Sequence, residues 1–342
     1  MSDALKSYCG ALRHVLFPAG FLPEWLVIEG SVITLTLPFA AERSARELIA
    51  SDRQLKAYTW RIQVKVEALP RATAAKAVSA RNVIAVASGK GGVGKSSVTL
   101  NLAGALARMG MQVGILDADI FGPSVPTMLG NKGAKPEFNE QNKMTPLRVK
   151  CEHAGELQVN SLGYLAEPDD ATVWRGPMAS RALEQLCFDT RWQNLDYLLI
   201  DMPPGTGDIQ LTLAQKLPVT GAVVVTTPQD VALDDARKGI AMFRKVGVPV
   251  LGLIENMSFY TCSACGHTDY IFGQNGGAEL AERYQLPVLG QWPLFPPLRE
   301  QLDAGRLFVQ SSPDHAVSQH IMRSAEALTA NAWLLLSPHA LD

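Results

Sequence analysis

The sequence lacks a charge excess of either sign. Its 342 residues contain 31 Lys and Arg against 33 Asp and Glu, which gives a formal net charge of -2. A protein that attracts nucleic acid or anionic lipid over long range carries a clear basic excess. The composition therefore predicts no nucleic-acid partner and no membrane partner, and it leaves recognition to local contacts.

Long hydrophobic runs are also missing, although 47% of the residues are hydrophobic. The longest runs, at residues 219–225 and 248–254, end well short of the roughly 18 residues that a membrane span needs. The first residues, MSDALKSYCGALRHVLF, lack a basic start followed by an uninterrupted apolar stretch. The last residues have an apolar helical face with little positive charge, which favours core packing over membrane binding. We therefore expect a cytoplasmic protein.

Cysteines are few and odd in number. Five cysteines in a chain of this length are not typical of a disulfide scaffold, and we expect them to be buried, reactive or metal-bound in a reducing compartment. Cys262 and Cys265 form the only close pair, whereas Cys9, Cys151 and Cys187 stand apart. Metal chemistry is therefore predicted at the pair.

Residues 1–69 show the pattern of a small α/β domain. Side chains alternate along residues 31–37, and Ile62, Val64 and Val66 point to one face of a second strand. Two helical segments accompany these strands, at residues 3–16 and 41–51.

Residues 70–80, PRATAAKAVSA, begin with proline and show no apolar periodicity, so we predict a linker there. In residues 81–342, short apolar runs alternate with helix-sized segments. The runs are NVIAVAS, QVGILDAD, LQVNSLG, YLLIDMP, GAVVVTTP, VPVLGLIEN and PVLGQWP. This pattern is typical of a parallel sheet covered on both faces. The predicted fold class is α/β, with a doubly wound, mostly parallel sheet preceded by the small α/β domain.

A glycine-rich loop, GKGGVGKSS at residues 89–97, follows the strand NVIAVAS and precedes a helix. Strand, loop and helix in this order are the context in which a P-loop binds phosphate. Loop N–H groups and the helix N-terminus attract the anion, Lys95 is expected to reach the β- and γ-phosphates, and Ser96 is expected to ligate Mg²⁺. The predicted nucleotide-binding residues are Gly89, Lys90, Gly91, Gly92, Val93, Gly94, Lys95, Ser96, Ser97 and, further along the chain, Asn256.

Carboxylates follow two later strands of the predicted sheet. Asp117 and Asp119 come at the end of QVGILDAD, and Asp201 follows the apolar run YLLI. Carboxyl ends of parallel strands meet at one edge of the sheet, where ligands bind. Asp201 is therefore predicted to hold Mg²⁺ through water, and residues 203–208 to form a loop that senses the γ-phosphate.

Two thiols separated by two residues, as in Cys262-Ser-Ala-Cys265, can both bind one metal, and thiolate selects zinc, copper(I) or an iron-sulfur cluster. A pair is incomplete, because structural zinc and cubane clusters normally take four ligands. His267 is a possible third ligand of a zinc site, and a redox dithiol is a further alternative.

Lys90, directly after the first glycine of the loop, resembles the extra lysine of the deviant Walker A ATPases, which include the nitrogenase iron protein, MinD, ParA and the arsenite-pump ATPase. The resemblance implies that Lys90 contacts the nucleotide of a facing subunit, so that ATP holds a homodimer together. It also implies that Asp119, rather than Asp117, orients the attacking water, and that Asn256 contacts adenine. The catalytic residues implied are Lys90, Lys95 and Asp119.

Five motifs in order resemble the Mrp/ApbC family of iron-sulfur carrier ATPases over about residues 80–310. They are GKGGVGKS, DADIFGPS, WRGPM at residues 174–178, DMPPGTGD and ENMSFYTCSACGH. The resemblance implies an ATPase whose cofactors are ATP, Mg²⁺ and a [4Fe-4S] cluster. Cys262 and Cys265 of two subunits would bind the cluster, which would pass between cluster-assembly scaffold proteins and apo iron-sulfur proteins. The alternative is a MinD/ParA-like positioning or switch ATPase with structural zinc at the cysteine pair.

The first domain resembles a degenerate form of the small iron-sulfur assembly domain that often precedes this ATPase. The acidic turn and the cysteine of that domain's active loop are absent, and residues 38–41 read Pro-Phe-Ala-Ala. We therefore expect this domain to serve docking or stability, and Cys9 to be an incidental helix residue.

Overall fold

A computed structural model describes residues 2–73, 76–120, 122–151, 155–165 and 176–339 of the chain. The chain divides into two compact units. One unit combines residues 1–69 with residues 325–342, and the other runs from residue 70 to residue 324.

The first unit contains a three-stranded sheet in the order β1-β2-β3, with β1 and β2 antiparallel and β2 and β3 parallel. Its elements are α1 (Ser2–Ala11), β1 (Leu26–Glu29), β2 (Val32–Leu37), α2 (Glu42–Ser51), β3 (Thr59–Val64) and the C-terminal part of α11 (Ala316–Leu336). Ile33, Leu35 and Leu37 have no exposed surface, while the residues between them are half-buried. The side chains of β2 therefore alternate as its sequence predicts.

Aromatic side chains fill the core of the first unit. The ring of Trp333, on α11, lies 5.2 Å from Trp25 and 5.6 Å from Phe39. Buried Glu326, also on α11, accepts hydrogen bonds from the backbone N–H and the hydroxyl of Ser44 at 3.1 and 2.7 Å. These contacts explain why residues 325–342 belong to this unit, whereas the sequence pattern placed them in the second domain.

Residues at the predicted linker pack onto the second unit. The N–H of Ala72 donates to the carbonyl of Val219 at 2.9 Å, and the Thr73 hydroxyl donates to the carbonyl of Leu217 at 2.6 Å. Arg71 donates to the carbonyl of Ala80 at 2.7 Å. The second unit accordingly begins at residue 70, because polar backbone contacts, which leave no apolar period in the sequence, hold this stretch in place.

The second unit is built on an eight-stranded sheet in the order β13-β10-β9-β4-β8-β5-β7-β6. Neighbouring strands are parallel except for β6, which is antiparallel to β7 at the edge. The strands are β4 (Ala80–Ser88), β5 (Val113–Asp117), β6 (Leu147–Lys150), β7 (Glu156–Ser161), β8 (Leu195–Asp201), β9 (Gly221–Thr226), β10 (Val250–Glu255) and β13 (Val288–Gln291). A two-stranded sheet pairs β11 (Tyr260–Thr261) with β12 (Thr268–Asp269).

Helices connect and cover the strands of this sheet. They are α3 (Lys95–Arg108), α4 (Val125–Met128), α5 (Gly176–Phe188), α6 (Asp208–Lys216), α7 (Asp230–Lys245), α8 (Gly276–Tyr284), α9 (Pro296–Asp303), α10 (Phe308–Ser311) and the first part of α11. Every residue of β5, β9 and β10 is buried, as expected for strands covered on both faces. The predicted fold class is confirmed.

Each of the seven apolar runs forms a parallel strand, and their carboxyl ends lie together. Asp117 pairs with Asp201 in the register of β5 and β8, Ser88 pairs with Val225, and Glu255 pairs with Thr226. Five strand ends thus bring polar groups to one edge of the sheet, where ligands bind in open α/β sheets. β1, β6, β11 and β12 were not predicted, because they are short.

Candidate functional site

The glycine-rich loop spans the end of β4 and the start of α3 and requires glycine at two close approaches. Gly94 has a φ of +80°, and a Cβ there would lie 2.3 Å from Nδ2 of Asn256. A Cβ on Gly89 would lie 2.1 Å from the backbone of Asp235 on α7. β10 and α7 therefore press on the loop from two directions and define its shape at the start of α3.

Three side chains converge beyond this loop. Nζ of Lys95 lies 2.8 Å from Oδ1 of Asp201, and the Ser96 hydroxyl donates to Oδ2 of Asp201 at 2.5 Å. Lys95 is 6% exposed and Asp201 has no exposed surface. Two loop residues predicted from the P-loop motif and a carboxylate predicted from a strand 105 positions later therefore meet in one buried cluster.

Thr99 is a member of the cluster that the sequence analysis missed. Its hydroxyl donates to Oδ1 of Asp201 at 2.9 Å. Thr99 lies one helical turn beyond Lys95 and Ser96, and residues three and four positions apart share a helix face. That spacing could have identified it.

The two carboxylates after β5 occupy different surroundings. Oδ2 of Asp119 lies 3.8 Å from Nζ of Lys95. Asp117 has no exposed surface and accepts from the N–H of Asp119 at 3.1 Å and from the Ser161 hydroxyl at 2.9 Å. Burial, followed by the nearby charge of Asp201, raises the pKa of Asp117 to about 7. Asp119 thus lies beside Lys95, whereas Asp117 holds the turn that follows β5.

Ser96 and Asp201 have the donor chemistry that magnesium prefers. Hydroxyl and carboxylate oxygens are hard ligands, and Mg²⁺ is bound in nucleotide sites by one or two such groups together with phosphates and water. Oγ of Ser96 and Oδ2 of Asp201 lie side by side at 2.5 Å. The residues present therefore fit a magnesium ion.

Asn256 contacts the glycine-rich loop directly. Its Nδ2 donates to the carbonyl of Val93 at 2.9 Å, and its own N–H donates to the carbonyl of Thr226 at 2.8 Å. The side chain is nearly buried. The predicted contact with adenine remains a prediction, but the structure adds a bond from the end of β10 to the P-loop that the sequence did not indicate.

The other predicted loop residues fall where the motif places them. Lys90 is half-buried, and its carbonyl accepts from the Ser88 hydroxyl at 2.9 Å. Gly91, Gly92 and Ser97 complete the loop and the first turn of α3. Of the WRGPM motif, Trp174 and Arg175 lie outside the described residues.

The cysteine pair lies in a small hairpin, residues 260–269, which we call the cysteine hairpin. Its two short strands are β11 and β12. The N–H of Cys262 donates to the carbonyl of His267 at 2.9 Å, and the N–H of Gly266 donates to the carbonyl of Cys262 at 2.8 Å. Cys262 is half-buried and Cys265 is exposed. The turn therefore presents both thiols at the surface of the second unit.

The hairpin backbone favours the thiolate form of Cys262. The N–H groups of Cys265 and Ala264, together with the Cys265 side chain, lower the pKa of the Cys262 thiol because they stabilise its anion. In contrast, burial raises the pKa of Cys9 and Cys151 to about 11 and that of Cys187 to about 12. All five are free thiols, and the three isolated ones lack the character of a metal ligand.

Within one chain, the structure groups no third ligand with Cys262 and Cys265 among the residues it describes. In the part of the chain that the structure describes, no three His, Cys, Asp or Glu side chains are grouped so that they could hold a metal ion. His267 contributes its carbonyl to the hairpin, as noted above, and does not join Cys262 and Cys265 in such a group. The zinc alternative with His267 as third ligand therefore gains no support from the geometry.

Among the described residues, no helix combines the length and apolarity that crossing a bilayer requires.

Comparison with known proteins identifies similar sequences over most of the chain. Residues 79–329 match the model of a family described as ParA: NUBPL iron-transfer P-loop NTPase. An iron-sulfur cluster carrier protein from Haemophilus influenzae is 52% identical over 309 residues, which cover 88% of this chain and 82% of the relative. Another from Escherichia coli K12 is 53% identical over 331 residues, which cover 94% of this chain and 86% of the relative.

Solved structures show the same architecture. A nucleotide-binding protein from Archaeoglobus fulgidus in complex with ADP is 37% identical, with a TM-score of 0.59 over 67% of this chain and 88% of that chain. A chain of the MinC:MinD cell division protein complex from Aquifex aeolicus has a TM-score of 0.54 over 72% of this chain and 95% of that chain. At 22% identity, this second likeness concerns the fold alone.

Proposed function

Since the chain belongs to the ParA-type family of iron-transfer P-loop NTPases, we propose that it binds and hydrolyses ATP in order to carry iron-sulfur clusters to apoproteins. The family predicted from the five ordered motifs is thereby confirmed. Nucleotide hydrolysis is the general activity of P-loop NTPases; its coupling to cluster transfer is the part that we propose.

In the proposed reaction, the loop at residues 89–94 and the start of α3 surround the ATP phosphates. Bound Mg²⁺, held by Ser96 and through water by Asp201, would neutralise charge on the β- and γ-phosphates. Lys95 donates to the same phosphates. Asp119 orients a water whose oxygen bonds to the γ-phosphorus while the bond to the bridging oxygen of ADP breaks.

The cluster is the cargo, and Cys262 and Cys265 are its proposed ligands. A [4Fe-4S] cluster takes four thiolates, and one chain presents two at the hairpin. A two-fold axis through the hairpins of two copies would supply the other pair. Lys90 would reach the nucleotide of the facing copy, so that ATP and cluster would both depend on the homodimer.

The observation that carries this proposal is the placement of both sites on one short segment. Asn256 contacts the P-loop through Val93, and six residues later Cys262 begins the exposed thiol pair. A change in the loop can therefore reach the thiols through a few residues. Such proximity suits a carrier that must release its cargo to cluster-requiring apoproteins after accepting it from a scaffold protein.

Anaerobic iron and sulfide analysis of the reconstituted protein, with its absorption spectrum, tests the proposal. We expect about four irons and four sulfides per dimer and a broad absorption band at roughly 400 nm. Cys262→Ala is expected to lose the cluster and to retain ATP binding, because it removes a cluster ligand and no contact of the P-loop.

Cys151→Ala is the matched control, since its half-buried thiol, with a pKa of about 11, lies outside the hairpin. It is expected to bind the cluster as the wild type does. Zinc without iron in the wild type would replace the proposal with the alternative, a positioning or switch ATPase with a structural metal.

A further inference from the structure

The chain between β10 and α8 leaves the sheet and returns to a single carboxylate. We call this stretch, residues 256–275, the cysteine excursion, since it contains the cysteine hairpin. Oε1 of Glu255 accepts from the Ser258 hydroxyl at 2.5 Å, near the beginning of the excursion. Oε2 accepts from the N–H of Gly277, just past its end, at 2.5 Å. Glu255 therefore closes the base of the excursion.

Several contacts hold the buried side chain of Glu255 in place. Its side chain has no exposed surface, and Oε1 also accepts from Nε2 of Gln291 at 3.1 Å. Gly277 lies in the first turn of α8, where the helix dipole favours a negative charge. A Cβ on Gly277 would lie 2.4 Å from Oε2, so the close approach requires glycine.

Glu255 is also tied to the nucleotide side. The next residue, Asn256, donates to the carbonyl of Val93 in the P-loop, as described above. The backbone from Glu255 to Phe259 pairs with the segment after β13: Trp292 N–H donates to the Glu255 carbonyl at 2.9 Å, and Ser258 N–H donates to the Trp292 carbonyl at 2.8 Å. A continuous set of bonds thus runs from the P-loop to the base of the hairpin.

We propose that Glu255 is a positioning residue that makes the cysteine hairpin respond to the nucleotide, because it fastens both ends of the excursion to the strand that contacts the P-loop. The inference rests on the proposed function. With Glu255 in place, a displacement of Val93 moves Asn256, Glu255 and the hairpin base together. Without its two bonds, the hairpin moves independently of the loop.

Hydrogen-deuterium exchange on the cluster-free protein tests this inference. The exchange rates of the backbone amides of residues 260–269 are compared between protein bound to ADP and protein bound to a non-hydrolysed ATP analogue. Exchange reports local opening of the hairpin. We expect a nucleotide-dependent difference in the wild type and its loss in Ser258→Ala and Glu255→Gln. Nucleotide affinity, measured by calorimetry, is expected to stay unchanged in Ser258→Ala, which leaves the Asn256 contact intact.

Two further variants separate positioning from general damage. Gly277→Ala is expected to lose the response as well, because its Cβ would displace the carboxylate. Glu282→Gln is the control for Glu255→Gln, because it makes the same substitution at an exposed residue of α8. It is expected to respond as the wild type does. If Glu255→Gln fails to fold, Ser258→Ala decides, since it leaves Glu255 its bonds to Gly277 and Gln291.

A hairpin that still responds in Ser258→Ala would overturn the inference, and so would a wild-type hairpin that shows no response. Neither result affects the proposed function, which iron and sulfide content decides separately. Absence of a cluster in the wild type, with a response that depends on Glu255, would overturn the carrier function and leave the positioning role.

Discussion

At the P-loop, reactive groups are enclosed and bonded to one another, whereas at the cysteine hairpin they face outward. Lys95 is 6% exposed beside a fully buried Asp201, while Cys265 is exposed at the tip of a turn held mainly by backbone bonds. In the first arrangement, buried side chains contact one another, which suits a reaction that depends on fixed geometry. The second leaves its thiols accessible, as their proposed role as cluster ligands requires.

The two regions also shift acidities in opposite directions. Burial raises the pKa of Asp117 next to the P-loop, and backbone N–H groups lower the pKa of Cys262 in the hairpin. Desolvation is the main cause of the shift at Asp117, and local hydrogen bonding is the main cause at Cys262. Substitutions at the P-loop and alkylation of the thiols test this contrast.

Lys95→Ala disrupts the enclosed site most strongly. We expect kcat/KM for ATP hydrolysis to fall at least about 100-fold, because a charge aimed at the transferred phosphate is lost. Asp201 would lose its cation, and removing one partner of a buried ion pair costs about 3–5 kcal/mol, so Tm is also expected to fall. Steady-state kinetics and calorimetry measure the two effects.

Lys90→Ala is the control for Lys95→Ala. Lys90 is half-buried and is proposed to reach across to a facing copy, so its variant should keep its Tm while losing the ATP-dependent dimer, measured by light scattering. Equal loss of Tm in both variants would contradict the division between an enclosed lysine and an outward one.

Thiol alkylation compares the hairpin with the other cysteines. Cys262 has a pKa below its ordinary value of 9.0, and Cys151 has one of about 11. Each pKa unit changes the thiolate fraction about tenfold. At pH 8 we therefore expect iodoacetamide to modify Cys262 on the order of 100-fold faster than Cys151, as followed by mass spectrometry.

The pH dependence has a definite sign. As pH rises, Cys262 forms thiolate first, since its pKa is lowered, and Cys151 and Cys187 follow only near pH 11 and 12. Similar alkylation rates for Cys262, Cys151 and Cys187 at pH 8 would contradict the lowered pKa of Cys262.

Asn256→Ala removes the bond that joins the two regions. One hydrogen bond contributes about 0.5–1.5 kcal/mol, so ATP affinity is expected to fall by up to about tenfold in calorimetry. Asn256→Asp keeps the size of the side chain but loses the amide donor to Val93, and we expect a similar loss. Unchanged affinity in both variants would show that this contact does not support the loop.

Much of the fold and of the nucleotide site could be predicted from local patterns. Seven apolar runs identified seven parallel strands, and the P-loop motif located Lys95 and Ser96 because its spacing encodes a turn and a helix start. Asp201 followed from the rule that ligands gather at the carboxyl ends of parallel strands. The Glu255 contacts leave no periodic signal because they join segments far apart in the chain, whereas Thr99 is indicated only by its helical spacing from Lys95 and Ser96.

By itself, the sequence determined the α/β class, the P-loop, the cysteine pair and the family, because each depends on residues that are near one another in the chain. Only the tertiary structure decided that residues 325–342 join the first unit, that Asp119 rather than Asp117 faces Lys95, and that Asn256 bonds the P-loop. These outcomes depend on packing between segments far apart in sequence. Such packing is set by shape and by the pairing of buried polar groups, which only the folded chain brings together.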